Sequence, residues 1–146
     1  MDGVLLVSGE PIQGAPDAVR RLRANGHRLR FVTNTTTRSR AQLAEALRSH
    51  GIEVEDYGST AEFASRYRKP QCGCLIIDQH LPVLTGVDFL NSPAGKGLDI
   101  PVILITGRSD PSLEERAREA GVAEYLQKPL GERVLLATVA RLTAER

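Results

Sequence analysis

The sequence predicts an α/β protein in which a parallel sheet lies between two layers of helices. Two short segments, residues 74–78 and residues 101–106, are apolar and rich in β-branched side chains, and each ends in a polar residue. Runs of this kind are typical of strands buried on both faces, as the strands of parallel sheets are. From Leu29 onward, five candidate strands alternate with five candidate helices. This alternation predicts the β-α units that build such a sheet.

The composition indicates one domain and argues against some classes of partner. With 146 residues, of which 41% are hydrophobic and 25% are charged, the chain is long enough for one globular core. A net charge of +1 and an aromatic content of 4% favour neither nucleic acid nor a membrane surface as a partner. Cys72 and Cys74 match no zinc or redox spacing. We expect two reduced cysteines in a cytoplasmic protein without a signal peptide or a membrane span.

The first residues predict a small appendage ahead of the alternating elements. Residues 4–7 and 11–12 flank a Ser8-Gly9 pair, a pattern typical of a short hairpin. Residues 16–17, Pro-Asp, favour the first turn of a helix, and residues 25–26, Asn-Gly, favour its end. We therefore predict one hairpin and one helix before the first strand of the sheet.

The remaining elements follow from apolar periodicity and from residues that cap or break helices. Alternating or wholly apolar runs predict strands at residues 29–33, 52–57, 74–78, 101–106 and 124–128. Helical spacing predicts helices at residues 39–49, 60–68, 84–90, 111–120 and from residue 132 to the C-terminal region. Residues 92–97 are expected to form a loop. In the last helix, the apolar residues expected to face the core are Val134, Leu135, Val139 and Leu142.

Polar side chains close three of the predicted strands. Asp78, Thr106 and Lys128 each stand at a strand end, and one β-α unit separates each from the next. Because neighbouring parallel strands end at the same edge of a sheet, we expect the three side chains to meet in one crevice. The set is suited to phosphoryl transfer, with a carboxylate nucleophile, a hydroxyl donor and a cation that neutralises phosphoryl charge. The alternative is that all three are ordinary polar residues beside loops.

Several segments in the second part of the chain match one known pattern. They are residues 57–63, residues 74–78, Leu81-Pro82 with Gly86, residues 100–107 and residues 120–129. On these segments, residues 51–146 resemble the receiver domain of bacterial two-component response regulators. The resemblance implies a flavodoxin-like (CheY-like) fold of three α/β/α layers. It also implies the sheet order 2-1-3-4-5, counted from the strand at residues 29–33.

The resemblance also implies roles for individual residues. Asp78 would be the phosphoacceptor, Thr106 and Lys128 the pair that senses the phosphoryl group, and Tyr125 the switch aromatic. Asp78 and the backbone carbonyl of His80 would bind Mg²⁺. A histidine kinase or another phosphodonor would be the partner.

One departure from the receiver pattern concerns the metal. Receivers carry an acidic pair after their first strand, and that pair holds Mg²⁺. Here residues 33–35 read Thr-Asn-Thr and carry no charge. Because Mg²⁺ prefers several hard anionic oxygens, we expect it to bind only weakly.

The first part of the chain resembles a different family. Residues 1–5, Met-Asp-Gly-Val-Leu, and residues 31–36, Phe-Val-Thr-Asn-Thr-Thr, look like two motifs of the haloacid-dehalogenase-like (HAD) phosphatases. On these motifs, residues 1–53 resemble that family. The resemblance implies that Thr33 and Asn34 bind the phosphoryl group and that Asp2 is the acid/base residue. The nucleophilic aspartate of that family has no counterpart before Asp2.

Together these patterns predict one α/β domain that joins a HAD-like segment, residues 1–53, to a receiver-like segment, residues 54–146. The expected function is that of a phosphoacceptor domain with an impaired Mg²⁺ pocket, and not that of an enzyme. One alternative is an engineered or relic chimera that serves only as a folded scaffold. A lesser alternative is a weak HAD-type phosphatase that uses Asp78 in place of the lost nucleophile.

Overall fold

The structure is a computed structural model that describes residues 6–7, 10–11, 28–32, 48, 52–68, 73–108, 110–130 and 132–144. Its strands are β1 (Leu6–Val7), β2 (Glu10–Pro11), β3 (Arg28–Val32), β4 (Glu53–Tyr57), β5 (Cys74–Asp78), β6 (Val102–Thr106) and β7 (Glu124–Gln127). Its helices are α1 (Thr60–Arg66), α2 (Gly86–Asn91), α3 (Pro93–Lys96), α4 (Pro111–Glu119) and α5 (Glu132–Ala144).

Strands β3 to β7 form one parallel sheet in the spatial order β4-β3-β5-β6-β7. Counted from β3, this order is 2-1-3-4-5, so the predicted fold class and sheet order are confirmed. Every residue of β5 and of β6 is buried. Both strands lie inside the sheet with both faces covered, which explains why their sequences are apolar throughout.

Side chains of the inner strands alternate between two hydrophobic cores, one on each face of the sheet. On one face, Ile76 and Ile103 pack with Leu135 and Val139 of α5. On the other face, Ile77 belongs to a core that also contains residues of α1, α2 and α4. The two cores give the predicted arrangement of helices on both sides. Among the described helices, none is long and apolar enough to cross a bilayer.

The short helix α3 corrects the prediction of a loop at residues 92–97. Ser92 caps this helix, because its hydroxyl accepts a hydrogen bond from the Gly95 amide at 3.3 Å. Pro93 occupies the first turn, where its missing N–H costs nothing. Proline and two glycines in six residues are typical of a turn, and this composition concealed the helix.

The prediction that Val134 faces the core is wrong, since this residue is 56% exposed. Leu136 is 2% exposed and takes the inward position instead, beside Leu135, Val139 and Leu142. An α-helix has about 3.6 residues per turn, so the apolar stripe formed by these four residues has position 134 at its edge. Side-chain volume and apolarity alone do not distinguish Val134 from Leu136, so the contact with the sheet decides.

The predictions for the first part of the chain are tested only in part. Strands β1 and β2 pair antiparallel, with Val7 opposite Glu10, which confirms the hairpin. The predicted helix at residues 16–25 lies outside the described residues. In the predicted helix at residues 39–49, only Arg48 is described, and it is helical. Cys72 also lies outside, whereas burial raises the pKa of the Cys74 thiol to about 12 and keeps it unreactive.

Arg30 of β3 is an exception among the buried residues of the sheet. It is only 2% exposed, and its Nε lies 3.2 Å from Glu55 Oε2 on the neighbouring strand. The contact lacks the alignment of a hydrogen bond, and among the described residues neither Nε nor Nη1 has a hydrogen-bond partner. The guanidinium also lies 6.0 Å from the ring centroid of Tyr67. Arg30 is therefore a buried cation with incomplete compensation.

Candidate functional site

Asp78 and Lys128 meet at the carboxyl edge of the sheet. Asp78 ends the central strand, and Lys128 follows the edge strand β7, one residue beyond its end. The distance between Lys128 Nζ and Asp78 Oδ2 is 2.5 Å. The side chain of Asp78 is 2% exposed and that of Lys128 is 33% exposed. The ammonium therefore neutralises a buried carboxylate that would otherwise be costly to hold in the protein interior.

The second carboxylate oxygen of Asp78 is held by the backbone that follows it. The His80 amide donates a hydrogen bond to Asp78 Oδ1 at 3.0 Å. The Gln79 amide donates to the Ile105 carbonyl at 2.8 Å and extends the pairing of β5 with β6 by one residue. Among the described residues, each oxygen of Asp78 thus has one hydrogen-bond donor, and the two donors orient the plane of the carboxylate. The predicted role of the His80 carbonyl toward a metal stays a prediction.

Thr106 ends β6 and is fully buried, and its hydroxyl bonds to the loop after its own strand. The hydroxyl donates to the Arg108 carbonyl at 3.0 Å and accepts from the Arg108 amide at 3.3 Å. Its hydrogen bonds are therefore directed at the β6–α4 loop and not at Asp78. The structure brings two of the three predicted side chains into contact and places Thr106 on a neighbouring strand end.

Tyr125 reaches the same carbonyl from β7. Its hydroxyl donates to the Arg108 carbonyl at 3.3 Å, while its half-buried ring packs against the core that contains Leu104. The Arg108 carbonyl therefore accepts hydrogen bonds from both Thr106 and Tyr125. The part of Arg108 could not be predicted from the sequence, because the atom that accepts these hydrogen bonds is a backbone oxygen, which no residue type reveals. The only available indication was its position two residues after Thr106.

Two further residues beside Asp78 were missed as parts of the site. Gly86 begins α2, and a Cβ at this position would lie 2.8 Å from the Asp78 carbonyl oxygen. The side chain of Gln79 is buried, and its Oε1 accepts a hydrogen bond from the Val87 amide at 3.2 Å. A glutamine between an aspartate and a histidine in a predicted loop gives no sign that it is buried.

Thr33, Asn34 and Asp2 lie outside the described residues. Strand β3 has the predicted length of five residues but lies one residue earlier than predicted, and Val32 pairs with Ile77, the residue before Asp78. The sequence contains no Asp or Glu from residue 33 to residue 44. The predicted phosphate-binding roles of Thr33 and Asn34 therefore stay predictions.

The described residues are a poor match for a strong Mg²⁺ site. Within the described ranges, no group of three His, Cys, Asp or Glu side chains is placed to hold a metal ion. Mg²⁺ requires near-octahedral coordination by hard oxygen atoms. Asp78 offers one carboxylate, and Lys128 and the His80 amide already engage both of its oxygens. Weak Mg²⁺ binding beside Asp78 therefore stays a prediction.

Comparison with known proteins identifies the family. The model of the response regulator receiver domain matches residues 31–140. Nodulation protein W of Bradyrhizobium diazoefficiens is 34% identical over 113 residues, which are 77% of this chain and 50% of that protein. Response regulator protein TodT of Pseudomonas putida is 33% identical over 97 residues, which are 66% of this chain and 43% of that protein. The chain thus spans about half the length of these curated relatives.

Solved structures agree with this assignment. The response regulator StyR superimposes with a TM-score of 0.70 at 30% identity, over 82% of this chain and 60% of that chain. The crystal structure of FixJ-N superimposes with a TM-score of 0.70 at 25% identity, over 82% of this chain and 95% of that chain. The family match begins in β3, before the predicted boundary between residues 53 and 54, and none of these matches supports a HAD-like segment. The chain belongs to the response regulator receiver domain family.

Proposed function

We propose that Asp78 is the phosphoacceptor of this receiver domain and that a histidine kinase is its phosphodonor. The observation that carries the proposal is the ion pair between the buried Asp78 carboxylate and Lys128 at the carboxyl edge of the sheet. Open α/β sheets bind their ligands at this edge. A carboxylate that is oriented by one backbone amide and one ammonium is prepared for chemistry at a defined position.

The proposed step is the transfer of a phosphoryl group to a carboxylate oxygen of Asp78. The oxygen forms a bond to phosphorus while the bond from phosphorus to the donor breaks, and the leaving group departs with its electron pair. Lys128 Nζ, which lies 2.5 Å from Oδ2, then neutralises negative charge on the phosphoryl oxygens. The His80 amide retains its hydrogen bond to Oδ1 and keeps the carboxylate plane oriented.

The same transfer would change the loop between β6 and α4. The Thr106 hydroxyl donates to a neutral carbonyl, that of Arg108, at 3.0 Å. A hydrogen bond to a charged phosphoryl oxygen is roughly twice as strong as one between neutral groups. Phosphorylation therefore draws Thr106 away from Arg108 and leaves Tyr125 as the partner of that carbonyl. We infer that this exchange carries the signal to the surface around Tyr125.

The proposal includes weak Mg²⁺ binding and therefore slow loading from small phosphodonors. The uncharged stretch after β3 and the single carboxylate of Asp78 support this part. In place of acidic residues, Thr33 and Asn34 would offer hydroxyl and amide donors to the phosphoryl oxygens. The predicted cytoplasmic location belongs to the same proposal, since it follows from the kinase partner.

The test is adduct formation by the whole chain. Acetyl phosphate is followed by intact mass spectrometry, and beryllofluoride by fluorine NMR, at increasing Mg²⁺ concentrations. We expect one adduct, a yield that still rises across the millimolar range of Mg²⁺, and complete loss of the adduct in Asp78→Asn. The control is Asp88→Asn, which changes a carboxylate on α2 whose side chain is 48% exposed and which should leave the adduct intact.

The alternatives make different predictions in the same experiment. If no adduct forms at any Mg²⁺ concentration, the phosphoacceptor proposal fails and the folded scaffold is what remains. Turnover of an aryl phosphate that is lost in Asp78→Asn would support the HAD-type phosphatase instead. Saturation of the adduct at micromolar Mg²⁺ would contradict the impaired metal pocket while leaving Asp78 as phosphoacceptor.

A further inference from the structure

The first turn of α2 is capped by a residue that lies seven positions before it in the chain. The first N–H groups of an α-helix have no acceptor within the helix. In α2, the Gly86 amide donates to the Gln79 carbonyl at 3.0 Å, and the Val87 amide donates to Gln79 Oε1 at 3.2 Å. Thr85 accepts hydrogen bonds from the next two amides of the helix. Its hydroxyl accepts from the Asp88 amide, and its carbonyl accepts from the Phe89 amide. Gln79 therefore satisfies two helix donors, one with its backbone and one with its side chain.

Gln79 is held at a junction between the helix and the central strand. It is 6% exposed, and it follows Asp78 and precedes His80 directly. Its own amide donates to the Ile105 carbonyl of β6 at 2.8 Å. Val87 is 1% exposed, so water does not readily replace the glutamine oxygen as acceptor for the Val87 amide. Loss of that oxygen would leave a buried donor without a partner.

We propose that Gln79 is a positioning residue for the chemistry at Asp78, a role that rests on the proposed phosphoacceptor function. The side-chain cap closes residues 80–85 against the end of β5. His80 lies inside this closed segment, and its amide donates to Asp78 Oδ1 at 3.0 Å. Without the cap, the first turn of α2 moves toward water and the segment gains freedom. The His80 amide then spends less time on the Asp78 carboxylate.

A merely structural role for Gln79 makes a different prediction. In that case the residue stabilises α2, and any loss of an α2 cap has the same consequence at the site. Thr85 supplies the comparison, because its hydroxyl caps the Asp88 amide at 3.1 Å and touches neither His80 nor Asp78 among the hydrogen bonds of the described residues. Thr85→Val removes a cap from the same helix and leaves Gln79 in place.

The first experiment measures the hydrogen-exchange rate of the His80 amide by NMR in the unphosphorylated chain. In Gln79→Met, which keeps the volume but removes the acceptor, the rate should rise about ten-fold, as expected for loss of a hydrogen bond to a charged group. Thr85→Val should leave the rate unchanged. Gln79→Asn, whose shorter amide does not reach the Val87 amide, serves if Gln79→Met does not fold.

An equal exchange rate in Gln79→Met and Thr85→Val would overturn the positioning role. The second experiment compares the rate of adduct formation at saturating acetyl phosphate, where Gln79→Met should be several-fold slower than Thr85→Val at a matched loss of thermal stability. Equal rates would also overturn it. If the wild-type chain forms no adduct, the phosphoacceptor proposal fails. The exchange rate of the His80 amide still tests, independently, whether Gln79 orients the carboxylate.

Discussion

Replacement of Gly86 by alanine is expected to destabilise the protein, because the start of α2 has no room for a side chain. A Cβ at Gly86 would lie 2.8 Å from the Asp78 carbonyl oxygen and 2.7 Å from Leu104 Cδ1. The leucine methyl is the end of a flexible side chain, whereas the carbonyl belongs to the central strand and has little freedom to move. Overpacking costs about 1–3 kcal/mol. The lower entropy of the unfolded chain with alanine returns about 0.4–1 kcal/mol.

The net expectation is a decrease of about 1–2 kcal/mol in the free energy of unfolding. Urea unfolding measures it, and Gly107→Ala is the matched control, since a Cβ at Gly107 would have nothing within 4 Å. Gly86→Ala should have a lower urea midpoint at an unchanged slope. Gly107→Ala should keep or raise the free energy of unfolding, by up to about 1 kcal/mol, because it gains the same unfolded-chain entropy without a clash. Equal midpoints for the two alanine variants would refute the argument that α2 is in close contact with the end of β5.

Three further predictions concern buried polar groups. Lys128→Met should lower the free energy of unfolding by about 1–3 kcal/mol, which is less than the loss expected for a fully buried ion pair because Lys128 is 33% exposed. In the double variant, Asp78→Asn should recover most of this loss, because it removes the carboxylate that Lys128 neutralises. Arg30→Met should keep or raise the free energy of unfolding, by up to about 2 kcal/mol, because Arg30 Nη1 has no hydrogen-bond partner among the described residues while the Glu55 side chain is 42% exposed. A decrease of similar size, measured by urea unfolding, would contradict this. Burial, and to a lesser extent the hydrogen bond to Glu55, raises the pKa of Tyr57 from 10.0 to about 12. The unfolded tyrosine therefore ionises first, so stability present below pH 10 should fall by about 2 kcal/mol as the pH rises toward 12, and Tyr57→Phe should lack this decrease in urea titrations.

Strand positions could be predicted well because burial on both faces leaves a clear mark on the sequence. Residues 74–78 were predicted with the observed bounds, and β4, β6 and β7 differ from their predictions by one residue at one end. The ends of the helices were harder to predict, since only one stripe of side chains on each helix contacts the core. Val134 shows the limit, because its exposure depends on which side of α5 contacts the sheet. Helix α3 shows another, because local capping by Ser92 overrides a composition typical of turns.

The candidate site was predictable only in its side chains. Asp78 and Lys128 stand at strand ends, and the parallel order of the sheet brings strand ends together. Two other contacts depend on how loops pack, namely that of Arg108 with Thr106 and Tyr125 and that of Gln79 with Val87. These contacts use backbone atoms or a residue that reads as an ordinary loop position. Periodicity and residue type carry no information about them.

The sequence by itself determined the parallel sheet, its strand order by resemblance to receivers, and the reactive groups at its carboxyl edge. These features depend on apolar runs, on the alternation of elements and on residue type, all of which are local or periodic. Only the tertiary structure decided that Lys128 covers a buried Asp78, that Thr106 bonds to Arg108, and that Gln79 caps α2. Each of these contacts joins two atoms whose separation depends on how helices, strands and loops pack together. The contacts therefore follow from the folded structure as a whole.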